Sequence, residues 1–332
     1  MPPKIEGSQG GFPQEFTLQA TLRNELKYGE NPDQAGALYL FDGDSPMDKL
    51  MRVGGGRESS MVNITDINAG VESVRMFPDS PAATIIKHNT PSGIALGENI
   101  SQALGRAIES DPVSAFGGIV VTNRPLDVDS VSVLEEFTGL IDVVSAPDIP
   151  PDALERLIAL RKDLGIYTFG EIPRERSQKY QIKPVDNGFI LQEWDDEPTD
   201  TSTWKLATTN LTPTDEQLQL MKFGWDAVRR IKSNTITVID QKIPMTRGIG
   251  SGLTSRVEAT KLALSFAKDH AKGGILISDS FFPFGDSVQL AADAGIAAIL
   301  QQGGSRKDQE SIDLANAAGI PMVFTGKRAF WH

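Results

Sequence analysis

Five consecutive residues, Ile86-Lys87-His88-Asn89-Thr90, set a cation, an imidazole and an amide at the end of an apolar run, Ala82-Ala83-Thr84-Ile85-Ile86. An unperturbed lysine titrates at about pH 10.4 and an unperturbed histidine at about 6.5. At neutral pH His88 therefore suits the work of a general base, while Lys87 stays cationic. A fixed cation beside a base suits attack by a weak nucleophile on a carbonyl, because negative charge develops on oxygen. The bland alternative is a polar strand end facing water, and a motif alone carries a real false-positive risk. His88 is one of three histidines, with His270 and His332. Neighbours on a strand point to opposite faces. Lys87 and His88 reach one site if the strand ends there, as Pro91-Ser92-Gly93 suggests.

The pattern recurs at Ile231-Lys232-Ser233-Asn234-Thr235. After each copy come a helical stretch and a loop with an acid and a Phe: Asp111 with Phe116, then Asp279 with Phe281. A five-residue match can arise by chance, but the shared downstream order favours duplication. Only the first copy carries histidine, so the halves are chemically unequal.

Phe116 before Gly117-Gly118, and Phe281, Phe282 and Phe284 around Pro283, put rings in loops. Core filling is their ordinary role; two such loops could also form a slot for a flat heterocycle, with Asp286 pairing to its ring N–H groups. Gly248-Ile249-Gly250-Ser251-Gly252 precedes a helix, a weak signal for a phosphate cradle. It lacks both the Walker A Lys-Ser/Thr and the Rossmann spacing. Arg256 at that helix start is by default a surface cation. Lys327-Arg328 with Phe330-Trp331 suggests a tied-down end, with Arg328 free to grip an anion.

The elements that must carry these residues follow from periodicity. Helices are predicted over 63–77, 100–108, 152–164, 215–228, 255–267, 287–294 and 309–318, with another from 134 toward 142. Strands are predicted at 85–86, 119–121, 188–192, 236–239, 275–277, 297–300 and 322–325. This alternation implies a mostly parallel α/β sheet. Residues 1–15 read as a loose arm, 25–32 as a polar loop, and Gly54-Gly55-Gly56-Arg57 as a flexible link. Asp195-Asp196-Glu197 and Asp200 read as a solvated linker.

At 332 residues the chain should form roughly two domains. Hydrophobic content of 39% and charged content of 23% are ordinary for a globular protein. A net charge of -12 disfavours nucleic acid and anionic membrane surfaces. The absence of cysteine excludes disulfides and thiolate metal sites. The histidines show no zinc-ligand spacing, and neither a signal peptide nor a membrane-length run is evident, so a soluble cytoplasmic protein is expected.

Together the chain resembles the formyltransferase part of the AICAR transformylase/IMP cyclohydrolase family, where AICAR is aminoimidazole carboxamide ribonucleotide. The matching pieces are Lys27-Tyr28-Gly29-Glu30-Asn31-Pro32, Lys87-His88-Asn89, 111–118, Lys232-Ser233-Asn234, 252–256, 278–286 and 328–332, in family order. The resemblance implies a duplicated cytidine-deaminase-like three-layer α/β/α fold without zinc. It implies a flexible arm over 1–20, a first unit over 21–195 and a second over 196–332. It also implies a homodimer with active sites at the interface, and formyl transfer from 10-formyltetrahydrofolate to the 5-amino group of AICAR.

In the roles it implies, His88 is the base, Lys87 stabilises the oxyanion or assists N10 departure, and Asn234 holds the oxyanion or the carboxamide. Lys27, Tyr28 and Arg328 would bind the 5′-phosphate. Asn63, Asp142 and Arg256 would position the nucleotide, beside Gly117. Phe116, Phe281, Pro283, Phe284 and Asp286 would hold the folate. Some members also hold a monovalent cation such as K+ near the second repeat. The cyclohydrolase part has no counterpart here, so IMP ring closure is not expected. Departures from the family pattern fall at Lys27, where Arg is usual, and at Asp33, Ser92, Leu253, Thr254 and Ser287. Lys27 loses a bidentate phosphate grip. These departures motivate two alternatives: a one-carbon transferase acting on another aminoimidazole nucleotide, and a non-catalytic nucleotide or folate sensor.

Overall fold

In this computed structural model, residues 12–56 and 58–332 are described. The first part of the expected arm, and Arg57 of the glycine link, lie outside them. A hairpin of β1 (Ala20–Glu25) and β2 (Ala37–Phe41) comes first, followed by the short α1 (Pro46–Lys49). The first large sheet uses β3 (Met51–Gly54), β4 (Ala82–Lys87), β5 (Thr90–Leu96), β6 (Gly118–Thr122), β7 (Ile141–Ala146) and β8 (Gly165–Thr168). Its helices are α2 (Met61–Arg75), α3 (Ile100–Ser110), α4 (Val128–Glu136) and α5 (Pro151–Leu160). A second hairpin, β9 (Tyr180–Val185) and β10 (Gly188–Glu193), leads into the second half. There the strands are β11 (Lys205–Leu206), β12 (Ile236–Ile239), β13 (Thr246–Gly250), β14 (Ile275–Ser278), β15 (Ala298–Gln301) and β16 (Met322–Phe324). The helices are α6 (Asp215–Val228), α7 (Arg256–Ala267), α8 (Asp286–Asp293) and α9 (Asp308–Ala318).

The two six-stranded sheets have one topology: β3-β8-β7-β6-β4-β5 and β11-β16-β15-β14-β12-β13. In each, two pairs are parallel and three antiparallel, which corrects the expectation of a mostly parallel sheet. The reason is local. Only His88 and Asn89 separate β4 from β5, and so short a loop joins antiparallel strands only. Pro91-Ser92-Gly93 lies inside β5 and is not the turn.

Ile85 and Ile86 are both fully buried, each contributing about 1.5–3 kcal/mol of burial. They enter different cores. Ile86, Val121, Val143 and Tyr167 pack with α2, while Ile85, Val120, Val144 and Ile166 pack with the face that carries α3, α4 and α5. The second sheet likewise carries α6 on one side and α7, α8 and α9 on the other. The α2 and α6 sides merge in one core, where Phe77 and Phe223 stack with ring centroids 5.3 Å apart.

The sheets meet edge to edge. An antiparallel bridge joins Ala95 to Met245, and Leu96 N donates to Pro244 O at 2.8 Å. Because β4–β5, β5–β13 and β13–β12 are all antiparallel, β4 and β12 run in opposite directions. The C-terminal end of β4 and the N-terminal start of β12 therefore lie on the same edge of the joined sheets. This corrects the repeat. Lys87 ends β4, with His88-Asn89 forming the turn after it, whereas Lys232-Ser233-Asn234 precedes β12, so the five-residue match does not fall at equivalent places in the two sheets. The match nevertheless brings the two segments to one edge.

Gly248 and Gly250 belong to the buried strand β13, not to a phosphate-cradling loop. A Cβ on Gly248 would lie 2.0 Å from Ala263 O, and on Gly250 2.1 Å from Ala259 O. Gly93 of β5 is the counterpart, with Ala107 O at 2.1 Å. These glycines let a helix lie directly on the strand.

The acidic stretch 195–197 is solvated only in part: Asp195 and Glu197 are exposed, as is Asp200, but arginines anchor the segment. Arg229, with its side chain 4% exposed, donates to Asp195 Oδ1 at 2.7 Å, and Asp196 pairs with Arg176 and Arg230. Buried Glu72 of α2 faces Arg75 and Arg230, each at 3.6 Å, and also pairs with Arg176. Arg176 lies 3.7 Å over the Trp194 ring and Arg230 4.8 Å over that of Trp331. This knot ties the 194–196 segment and the C-terminal residues to both halves.

Candidate active site

A cavity of about 580 Å³ opens at the β4 end of the first sheet. It is lined by Lys27, Tyr28, Asn63, Asp66, Lys87, His88, Gly117 and Asp142, among others. Lys27 and Tyr28 reach it because their segment is tied to the start of α2: Lys27 N donates to Ser59 O at 3.0 Å and Met61 N to Tyr28 O at 3.2 Å. Ser60 caps α2 by accepting from Asn63 N at 3.3 Å, and its hydroxyl donates to Asn63 Oδ1 at 3.0 Å. The amide of Asn63 is thereby aimed, and the cavity faces a helix N-terminus, which favours anions. Asp142, on β7, receives Arg161 Nη2 at 3.3 Å.

Lys87 Nζ donates to Phe116 O at 2.8 Å, which sets the ammonium across the cavity rim. The loop carrying Phe116 is shaped by Asp111 Oδ1, which accepts from Ser114 N at 2.9 Å. His88 and Asn89 both have positive φ, 55° and 59°. Such values at both central residues are the requirement of a type I′ hairpin turn. A second cavity of about 230 Å³ shares Lys87 and His88 and is closed by Ile249, Leu262 and Phe266 of the second half. His88 thus stands between two hollows.

The other expected site residues lie elsewhere in the chain. Asn234 Oδ1 accepts from Arg256 Nη2 at 2.7 Å, and its Nδ2 donates to Leu253 O at 2.9 Å. Arg256 is buried, not the surface cation of the default expectation; it donates to Ser278 Oγ at 3.0 Å and pairs with the fully buried Asp279. Arg328 lies 4.5 Å over Phe330 and borders a small hollow with Asp195 and Arg229. The rings of Phe116, Phe281 and Phe284 are exposed. Pro283 is exposed between them, and Asp286 begins α8, accepting from Ser287 N at 2.8 Å. None of these second-half residues lines the Lys87–His88 cavity. Among the described residues, no group of three or more His, Cys, Asp or Glu is placed to hold a metal ion, and no helix is long and apolar enough to cross a membrane.

Asp66 was missed by the sequence reading. It sits one turn after Asn63 on α2 and is 4% exposed. Burial pushes its carboxyl above the usual range, and the amides of Asn89 and His88, with the charges of His88 and Lys232, pull it part-way back. The only signal for it was an acid three residues beyond Asn63.

A profile of the AICARFT/IMPCHase bienzyme family matches residues 4–266. The chain belongs to that family. Similar proteins within it are named bifunctional purine biosynthesis protein PurH. The protein from Nostoc sp. is 40% identical over 323 residues, covering 96% of this chain and 62% of the relative. That from Sorangium cellulosum is 40% identical over 325 residues, 97% of this chain and 61% of the relative. The one from Oceanobacillus iheyensis is 38% identical over 322 residues, with 97% and 62% covered. The chain thus spans about three-fifths of the length of the relatives it matches.

Proposed function

We propose that the chain is an AICAR formyltransferase of purine biosynthesis, using 10-formyltetrahydrofolate as formyl donor. The observation that carries this reading is the convergence of Lys27, Tyr28, Asn63, Lys87, His88, Gly117 and Asp142 on one cavity. These residues come from five separate stretches, and the family resemblance assigns all of them to one nucleotide site.

In this reading the phosphate lies toward Lys27, Tyr28 and the start of α2, and the aminoimidazole lies toward His88. The 5-amino nitrogen attacks the formyl carbon while His88 accepts its proton. Lys87 stabilises the charge that develops on the formyl oxygen. The C–N10 bond then breaks, and N10 takes up a proton as tetrahydrofolate leaves. General base catalysis of this kind contributes about 10²–10⁴-fold.

Asn234, Arg256, Arg328 and the Phe281–Asp286 loop act in the same reading from a second copy of the chain, across a homodimer interface. The exposed rings of Phe116, Phe281 and Phe284, and the exposed Phe16, Leu22 and Tyr39 around the first hairpin, support such an interface. A monovalent cation near the second repeat belongs to the same reading, and no step depends on it. The setting is cytoplasmic.

One observation favours the second reading, transfer to another aminoimidazole nucleotide. Lys27 Nζ stands 3.8 Å from Glu58 Oε2, and Glu30, Asp142 and Asp163 also line the cavity. Glu58 thus neutralises part of the Lys27 charge, so the phosphate grip differs from that of an arginine at this position. Purified protein mixed with AICAR and 10-formyltetrahydrofolate should release tetrahydrofolate. Release with a different aminoimidazole nucleotide alone would favour the second reading.

A further inference from the structure

His88 and Asn89 both hold positive φ, a conformation that costs most side chains about 1–2 kcal/mol and Asn less. Something outside the hairpin has to hold it. The contacts converge on one group. Asn89 N donates to Asp66 Oδ1 at 2.6 Å, and the His88 amide also points at the Asp66 carboxylate. The Asn89 side-chain amide, with its nitrogen turned toward α2, donates to Asp66 Oδ1 at 3.2 Å and to Thr65 O at 3.0 Å. Two N–H groups of Asn89, its backbone amide and its side-chain amide, thus meet one buried carboxylate from a different element.

We propose that Asp66 is the positioning residue of this site: its carboxylate clamps the His88–Asn89 turn and so fixes the His88 imidazole between the two cavities. The chemistry requires an acceptor with no hydrogens. A carboxylate can accept both N–H groups, whereas an amide there would turn its own N–H toward a donor. Asp66 touches neither substrate nor reacting atoms in this account; it acts through His88. Its effect on turnover rests on the formyltransferase reading, while its effect on the turn does not.

The test uses Asp66→Ala, with Asp66→Asn as the isosteric variant, and two readouts on the full chain. Hydrogen exchange of the His88 and Asn89 amides should accelerate about 10-fold or more in either folded variant, as expected for the loss of charged hydrogen bonds. In formyl transfer, kcat should fall about 10–100-fold, as displaced catalytic groups do, with the nucleotide KM within about 3-fold. Adding Asn89→Gly to Asp66→Ala should recover part of kcat, because glycine adopts positive φ without a clamp. A merely structural role would lower the melting temperature and nucleotide binding together, and glycine would not restore activity. Unchanged exchange at 88–89 in a folded variant would overturn the proposal. If the unmodified protein transfers no formyl group, the functional reading fails, and the exchange comparison still decides the role of Asp66.

Discussion

At the residue scale, the site depends on how a hairpin ends. Lys87 closes the β4–β5 pairing with Thr90, and its ammonium is then held by Phe116 O at 2.8 Å. His88 is turned away from the strand by positive φ. The identity of the pair was legible in the sequence because a cation and an imidazole after an apolar run are chemically unusual. Its conformation was not, because the group that holds it, Asp66, belongs to another element. The same limit hid Arg256, whose position at a helix start gives no hint of the buried Asp279 beneath it. Lys87→Met removes the cation from the rim of the cavity without opening a core void. It should lower kcat about 10²–10³-fold, in line with loss of one oxyanion-stabilising group. The melting temperature should shift little, since surface changes fall within about 0.5 kcal/mol. Steady-state kinetics alongside a thermal melt checks both.

At the element scale, the two sheets repeat one strand order, and the sequence match does not follow it. Both halves order their six strands identically, yet one of the matching pentapeptides spans the β4–β5 turn and the other lies before β12. Most helices were legible from their apolar spacing, with the predicted 100–108 becoming Ile100–Ser110, but the helix expected from 134 toward 142 is instead Val128–Glu136, and Asp142 belongs to β7. The mixed strand directions were not legible, since they follow from the length of one turn. The glycines of β13 were misread because a Gly-x-Gly spacing looks the same whether it faces a phosphate or a helix. Their true role gives a prediction. Gly248→Ala places a Cβ 2.0 Å from Ala263 O, a backbone atom of α7 that has little room to move. Overpacking of this kind costs about 1–3 kcal/mol, and the urea midpoint should fall accordingly. A variant as stable as the parent would show that α7 does not lie directly on β13.

At the scale of the whole molecule, two sheets joined at β5 and β13 share a core through α2 and α6, and a charged knot fastens the 194–196 segment across it. The acids of that segment were visible, but their arginine partners lie too far along the chain for charge patterning to find. Burial pushes the Asp196 carboxyl up, but hydrogen bonds and charge from Arg176, with Arg230 and Arg75, outweigh it and hold the group below the usual range. Asp240 is held low in the same way, burial being outweighed by the Lys242 amide and by Arg247. A carboxyl with a depressed folded value contributes stability above its unfolded value, about 3.9, and loses it as pH falls through the folded value. Asp66 has the opposite sign: its contribution is present at low pH and lost as pH rises through the raised value. The melting temperature should therefore drop on acidification below about pH 4, and Asp196→Asn should flatten that drop. An identical acid profile for parent and variant would dissociate Asp196 from the knot.

The central claim is that His88, presented between two cavities at the joined edge of the sheets, is the base for formyl transfer. The measurement that tests it most directly compares parent and His88→Ala for tetrahydrofolate release from AICAR and 10-formyltetrahydrofolate, with nucleotide affinity measured alongside. The parent should turn over, and His88→Ala should lose about 10²–10⁴-fold in kcat while its nucleotide affinity stays within about 3-fold. Normal turnover by His88→Ala, or tight binding of both ligands by a parent that releases no tetrahydrofolate, would contradict the account.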